Sequence, residues 1–446
     1  MAPQDRKPAI DGPRNRERHP GLAVRLWAAG AVRRTVRERR SLDEALQLSA
    51  PKAALGDADR SLVRAIAMVT FRRFGTIRRV LAERLSQGEW PDAGLLREAV
   101  QTATAQILFL DIPDHAAVDV AIELCKQDPQ ARHFAKLANA VLRRVAAEKE
   151  NILARPIEGE DSPAWLLERW RQAYGPPAAL AIAAQHAQPP SIDLTLFAPE
   201  AAKALDGMVE PLQTGSWRLR SDRAVTSLPG FADGHFQVQD AASAMPARLF
   251  GDLRGKRVLD LCAAPGGKTA QLIHAGAIVT AVERSAQRAE RLRENLDRLK
   301  MQADLRVMDA MAVADGPYDA VLLDAPCSAT GTIRRHPEIA WTKTLADILA
   351  LATQQTRLLA HAASLVRPGG LLVYATCSLE PEEGELQIAR FLGSHEQFRA
   401  IPVDGQEFGL ASEAINPDGF LRLLPSAMTG IGGVDGFFAA RLRRLA

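Results

Sequence analysis

From Gly21 to about Glu148 apolar residues recur at three-to-four spacing, in long stretches rich in Ala, Leu, Val and Arg with few β-branched clusters. That period puts one apolar stripe on each helix, so the segment predicts a helical bundle. Ser41 to Glu44, just ahead of Ala45 and Leu46, has the form of a capping box, and the run from Asp59 to Leu85 sets Leu62, Ile66 and Val69 on one face. Further helices are expected over residues 95–110, 116–126 and 134–147, with breaks at Asp111 to Asp114 and at Asp128 and Pro129. The pattern then changes. Pro156, Pro163, Pro176, Pro177, Pro189 and Pro190 punctuate short helices before Ile192 to Phe197 becomes strand-like, which reads as a linker and a small α+β subdomain. From about Leu253 apolar runs alternate with helical ones, with strands predicted over residues 257–261, 278–282, 305–307, 320–323 and 371–375 and a closing strand through Ala439 to Leu442. This alternation is the signature of an α/β fold whose parallel sheet is covered on both faces.

The expected division is therefore a disordered tail over residues 1–20, a helical domain over 21–148, a linker and small subdomain over 149–247, and an α/β domain over 248–446. At 446 residues, 47% of them hydrophobic and 24% charged, the chain has core material for more than one such unit. The net charge of +3 changes little by itself, but residues 1–40 hold 11 Lys and Arg against 4 Asp and Glu. No run approaches the roughly 18 apolar residues of a membrane helix, and no secretion signal is visible. Cys125, Cys262, Cys327 and Cys377 are too widely spaced for a disulfide framework or for paired zinc ligands, so a reducing, cytoplasmic setting without metal is expected.

The predicted strand ending at Leu261 runs into Cys262, Ala263, Ala264, Pro265, Gly266, Gly267 and Lys268, a small-residue loop that opens a helix. Gly266 and Gly267 let the backbone approach a ligand closely, and the helix start offers free N–H groups. The phosphate-loop spacing GxxxxGK[ST] is missing, which argues against a nucleoside triphosphatase. Glu283 lies 17 positions after Gly266 at the end of the next strand, where a carboxylate can bind two ribose hydroxyls. Asp309 and Asp324 follow the third and fourth strands, so acids recur at the strand ends where open α/β sheets bind ligands. A ring of carboxylates would repel the pyrophosphate of NAD but suits ribose hydroxyls, an adenosine amine and a cationic sulfonium. The expected cofactor is S-adenosyl-L-methionine.

Cys327 follows the fourth strand and Cys377 the fifth, which puts both thiols on the ligand face. Carbon 5 of cytosine is a poor nucleophile; a thiolate that attacks carbon 6 makes carbon 5 enamine-like and able to accept the sulfonium methyl. A base must then take the carbon 5 proton so that the thiol can leave. A lone cysteine is more often a small hydrophobe, the reading given to Cys125, whereas Cys262 in the cofactor loop offers backbone contacts. Such chemistry requires the base to leave its stack, so a loop or a locally melted helix is the expected substrate. Arg33 to Arg40, Arg72 with Arg73, and Arg334 with Arg335 are candidate phosphate contacts, with a solvated helix face as the competing reading of each.

These blocks together resemble the Nop/Sun family of RNA (cytosine-5) methyltransferases, and in particular its RsmB/Sun branch, which acts on 16S ribosomal RNA. Asp260 to Thr269 resembles the family's cofactor loop. Asp324 to Gly331, with Arg334 to Glu338, resembles its first cysteine motif, and Thr376 to Leu379, with Glu382 and Glu383, its second. The resemblance implies that Cys262 through Lys268, Glu283, Asp309 and Asp324 contact the cofactor, that Cys377 attacks carbon 6, and that Cys327 assists release, while Asp324 also holds ring nitrogen 3. Ile112 to Ala116 and Leu137 to Leu142 resemble the NusB-like RNA-binding domain fused in this branch. A Rossmann-like methyltransferase sheet behind a NusB-like bundle is thus expected, acting as a monomer on RNA, without DNA or membrane partners. Two segments depart from the family pattern, Ser191 to Leu196 and Met428 to Gly433. Transfer RNA is the alternative substrate. DNA methyltransferases use the cysteine of a Pro-Cys pair such as Pro326 and Cys327, so the second motif is what favours Cys377. A purely RNA-binding assembly factor, or a methyltransferase for small molecules or proteins, has no use for the cysteine pair.

Overall fold

The computed structural model describes residues 21–51, 55–86 and 88–446. The tail expected over residues 1–20 lies outside them. The chain forms two compact units: the described residues up to 169 with 186–188 and 336–343, and a second unit of 170–185, 189–335 and 344–446.

The first unit is helical. Its main helices are Leu22–Glu38, Leu42–Ser49, Asp57–Arg72, Phe74–Ala82, Leu96–Phe109, Asp114–Gln127 and Ala135–Ala147. Their apolar stripes meet in two clusters, one around Val100, Ile107, Ala121, Leu142 and Cys125, the other around Val32, Leu42, Ile66 and Phe71. Each fully buried aliphatic side chain contributes about 1.5–3 kcal/mol relative to exposure. Cys125 is part of this core, and burial pushes its thiol up to about 12. The single run predicted from Asp59 to Leu85 is two helices. A break at Arg73 (φ −113°, ψ 22°) frees the Thr76 N–H, which donates to Asp161 at 2.8 Å, while a Cβ at Gly75 would collide with the Glu160 carbonyl at 1.7 Å. A long-range partner thus overrides local helical propensity. The capping box predicted at Ser41 is half formed: Ser41 accepts from Glu44 N at 3.3 Å, but the Glu44 carboxylate pairs with Arg40 instead. The segment His336–Lys343, distant in sequence, belongs to this unit. Trp341 packs edge-on to Phe74 (centroids 5.1 Å) and donates its indole N–H to the Phe71 carbonyl at 3.1 Å.

The second unit holds two sheets. The smaller has four antiparallel strands in the order β2-β3-β1-β4: β1 Asp193–Leu196, β2 Val209–Pro211, β3 Trp217–Leu219 and β4 Phe236–Val238. The larger has eight strands: β5 Arg257–Leu261, β6 Ile278–Glu283, β7 Asp304–Val307, β8 Tyr318–Asp324, β9 Val366–Thr376, β10 Phe398–Ala400, β11 Leu421–Leu423 and β12 Phe437–Arg444. Its order is β10-β12-β9-β8-β5-β6-β7, with β11 on β12; β5 to β9 are parallel, and β10, β11 and β12 add antiparallel pairings. Strands buried on both faces explain the near-continuous apolar runs. Helices Leu345–Ser364 and Glu385–Ser394 cover one face through Leu358, Leu359, Ile388 and Phe391, and Met245–Arg248 with Gly267–His274 cover the other through Met245 and Leu272. The order reverses between β5 and β8, the topological switch point where such sheets bind ligands. This is the Rossmann-like methyltransferase sheet that the resemblance implies.

The two segments that depart from the family pattern meet in this unit. Asp193 in β1 stands opposite Arg218 in β3; both side chains are wholly buried and paired bidentately at 2.7 and 3.0 Å. Arg218 also donates to the carbonyls of Ile431, at 2.5 Å, and Gly433, at 2.8 Å. The loop can present these carbonyls because Met428 (φ 58°), Gly432 (φ 101°) and Gly433 (φ 68°) adopt left-handed backbone.

Candidate active site

Most residues of the proposed site lie at or just beyond the C-terminal ends of the parallel strands. After β5 the chain turns through Cys262, at φ +63°, and Gly266, at φ +100°, before the helix Gly267–His274 begins. The left-handed backbone favours glycine at 266, and a Cβ there would also crowd the Leu292 side chain at 3.0 Å. Asp260, an acid inside the apolar β5, accepts from the Thr269 hydroxyl at 2.6 Å. Burial, reinforced by the nearby Asp324 charge, pushes the Asp260 carboxyl up to about 7. Burial also pushes the Cys262 thiol up to about 12, with Asp324, Glu283 and Asp260 adding to the effect.

Glu283 ends β6. Its Oε1 accepts from Ser285 N at 2.9 Å, whereas its buried Oε2 accepts no hydrogen bond and lies 3.6 Å from Arg288. Asp260 Oδ1 is likewise buried without a hydrogen-bond partner. Two buried acceptors beside a glycine turn suit a ligand that brings hydroxyls or amines. Asp309, after β7, is exposed, and its Oδ1 caps a short turn by accepting from Met311 N at 2.8 Å. Asp324 ends β8 and accepts from Lys268 Nζ at 2.7 Å. Burial opposes the Lys268 ammonium, yet Asp324, with a smaller contribution from Cys377, keeps its pKa above the ordinary value.

Cys327 and Cys377, fifty residues apart, stand with their sulfurs 3.5 Å from each other. The hydrogen bond with Cys377, then burial, push the Cys327 thiol well above its usual value. The two loops are fastened to each other and to β12. Gly331 N donates to Cys377 O at 3.0 Å, Gly436 N donates to Gly331 O at 2.8 Å, and a Cβ on Gly331 would lie 2.0 Å from the Gly436 oxygen. One thiol held protonated beside another, next to a lysine–aspartate pair, can combine nucleophilic attack with proton transfer.

Several residues of the site escape sequence reasoning. Arg334 and Arg335, read as candidate phosphate contacts, belong to a buried ion network instead. Arg335 pairs with Asp240 at 2.6 Å and Asp435 at 2.7 Å, and Arg334, 1% exposed, donates to the carbonyls of Val434 and Gly432 at 3.0 and 3.1 Å. Arg334 has almost no surface to offer RNA, whereas the Arg335 side chain stays 24% exposed beside its two carboxylates. Gln355, which helps hold the cysteine loops, carries no spacing signal, and Glu383 entered the sequence reading only as part of the second cysteine motif, without a role. Asp260 does carry one, being an acid within a buried apolar strand.

Among the described residues no group of three His, Cys, Asp or Glu could hold a metal ion, and no helix is long and apolar enough to cross a membrane. Residues 252–443 match the 16S rRNA methyltransferase RsmB/F family, and residues 23–147 match the NusB family. The chain is 33% identical to the ribosomal RNA small subunit methyltransferase B of Erwinia tasmaniensis, over 94% of this chain and 98% of that protein. It is 34% identical to the protein of the same name from Cronobacter sakazakii, with the same coverage. Among solved structures, a methyltransferase homolog protein from Pyrococcus horikoshii aligns with a TM-score of 0.52 at 27% identity, over 62% of this chain and 94% of its own. Matched along nearly its whole length by such relatives, the chain belongs to the ribosomal RNA small subunit methyltransferase B family, a family of RNA methyltransferases.

Proposed function

We propose that this protein methylates carbon 5 of a cytosine in 16S ribosomal RNA, with Cys377 as the covalent nucleophile and Cys327 as the group that assists release. The observation that carries this reading is the pair of sulfurs 3.5 Å apart at the sheet edge, beside Lys268 and Asp324. The Cys377 thiolate attacks carbon 6, and the ring electron pair moves to carbon 5. S-adenosyl-L-methionine, when bound by the 262–268 loop, Glu283, Asp309 and Asp324, supplies an electrophilic methyl group. Carbon 5 takes that methyl with the displaced pair and then gives up its proton to water; the C5–H pair re-forms the double bond to carbon 6, and the Cys377 sulfur leaves as thiolate. Cys327, held protonated 3.5 Å away, assists that departure by donating to the outgoing sulfur. Asp324 uses one oxygen for Lys268 and has the other to accept from ring nitrogen 3 of the cytosine when that nitrogen is protonated. Bisulfite sequencing of ribosomal RNA from cells lacking the gene tests the proposal: one 16S methylcytosine should disappear, and an intact 16S pattern with a lost transfer-RNA site would overturn the substrate assignment.

Two further outcomes are expected. Glu283→Ala should weaken S-adenosyl-L-methionine binding by about 10–100-fold, because charge-assisted hydrogen bonds to ribose are worth about 1.5–3 kcal/mol. Titration calorimetry checks this, and a change below about twofold would remove Glu283 from the cofactor site. RNA affinity should fall steeply as salt rises, since phosphate neutralisation releases counterions. In the bundle Arg34, Arg37 and Arg40 remain 39–40% exposed for this purpose despite their ion pairs. Filter binding between about 50 and 200 mM salt measures the slope, and a flat curve would exclude an electrostatic footprint.

A further inference from the structure

The Glu383 carboxylate is wholly buried and has no part in the chemistry above. Its Oε1 accepts from Ser328 N at 2.9 Å and from Gln355 Nε2 at 3.0 Å. Its Oε2 accepts from the Ser328 hydroxyl and, at 2.5 Å, from the Ser378 hydroxyl. Ser328 and Ser378 are the residues that immediately follow the two cysteines, and their hydroxyls are 3.1 Å apart. The pairing of sulfurs at one level is therefore repeated by a pairing of serines at the next. The carboxylate is itself immobilised. Its residue's carbonyl accepts from the Tyr374 hydroxyl at 2.8 Å and from Thr376 at 3.3 Å, both in β9, and Gln355 adds a 2.9 Å bond to the Pro326 carbonyl, just ahead of Cys327.

We propose that Glu383 is a positioning residue that sets the spacing of the two cysteine thiols by clamping Ser328 and Ser378 on one carboxylate. An anion that satisfies four donors in a water-excluded pocket fixes their geometry more strongly than neutral bonds do. The four donors come from three places: the loop after β8, the loop after β9, and the helix Leu345–Ser364. Without the carboxylate the two loops keep the bonds through Gly331 and Thr330, but the serine ends that carry the thiols are no longer held to a common point. The consequence for methyl transfer rests on the proposed roles of Cys377 and Cys327: attack on carbon 6 needs one sulfur only, whereas release needs both in register.

The spacing can be read without RNA or cofactor. In the full chain, diamide accepts two hydrogens from a thiol pair and leaves a disulfide, at a rate that depends on how often the sulfurs approach bonding distance. Peptide mapping should show rapid Cys327–Cys377 cross-linking in the wild type, about tenfold slower cross-linking in Glu383→Ala, and an intermediate rate in Glu383→Gln, which keeps the shape but loses the charge. With substrate RNA the same variants should accumulate covalent adduct while KM for S-adenosyl-L-methionine stays within about twofold. If Glu383→Ala does not fold, Glu383→Gln decides alone. Wild-type cross-linking rates in folded variants would overturn the proposal, whatever happens to activity. Slow cross-linking in a protein that proves not to form an RNA adduct would support the clamp and overturn the nucleophile assignment instead.

Discussion

Cys377→Ala is expected to abolish methyl transfer and every covalent RNA complex, whereas Cys327→Ala should also stop turnover but leave RNA covalently trapped on the enzyme. The asymmetry follows from the order of bond making: without Cys377 no carbon 6 adduct forms, and without Cys327 the adduct forms but is not resolved. Loss of a covalent nucleophile costs on the order of 10³-fold or more in rate, so residual activity should be hard to detect in either variant. Denaturing gels of each variant incubated with substrate RNA and S-adenosyl-L-methionine distinguish the two outcomes. Trapped RNA on the Cys377 variant, with none on the Cys327 variant, would reverse the assignment and make the cysteine of the Pro326–Cys327 pair the attacking group.

Asp193→Ala should have the largest effect on stability, about 3–5 kcal/mol, because removing one partner strands a buried charge. Arg218 would keep only the carbonyls of Ile431 and Gly433, with no anion in a site from which water is excluded. Replacement of both Asp193 and Arg218 by apolar residues of similar volume should cost far less than either single change. Urea unfolding followed by tryptophan fluorescence is a suitable measure, since Trp217 lies beside Arg218 in β3. A loss below about 1 kcal/mol in the single variant would mean that the pair is hydrated in solution.

The elements of the second unit were legible wherever burial imposed a simple period. The strands β5, β6 and β8 are largely buried, and Glu283 and Asp324, which end β6 and β8, interrupt their apolar runs. The sulfur pair was legible as two residues in matching positions after neighbouring strands, though not as a 3.5 Å contact. What could not be read were the pairings made through space. Arg334 and Arg335 look like any basic dipeptide until Asp240 and Asp435 are seen against them. Glu383 is one of two adjacent acids in a polar stretch, and only the fold shows that it is the buried one. The break at Arg73 belongs to the same class, because the residues that stabilise it, Glu160 and Asp161, lie some 85 positions away.

Trp341 carries a practical lesson about where this polypeptide can be divided. A fragment ending at Glu148 would contain every main helix of the bundle but not the indole that shields Phe74 and bonds to the Phe71 backbone. The Phe74 ring would then lose its edge-on partner, and the severed bundle should be sticky and poorly soluble. A fragment extended to residue 169, which keeps Glu160 and Asp161 at the Arg73 break, and supplemented in trans with a peptide covering residues 336–343, restores both missing parts.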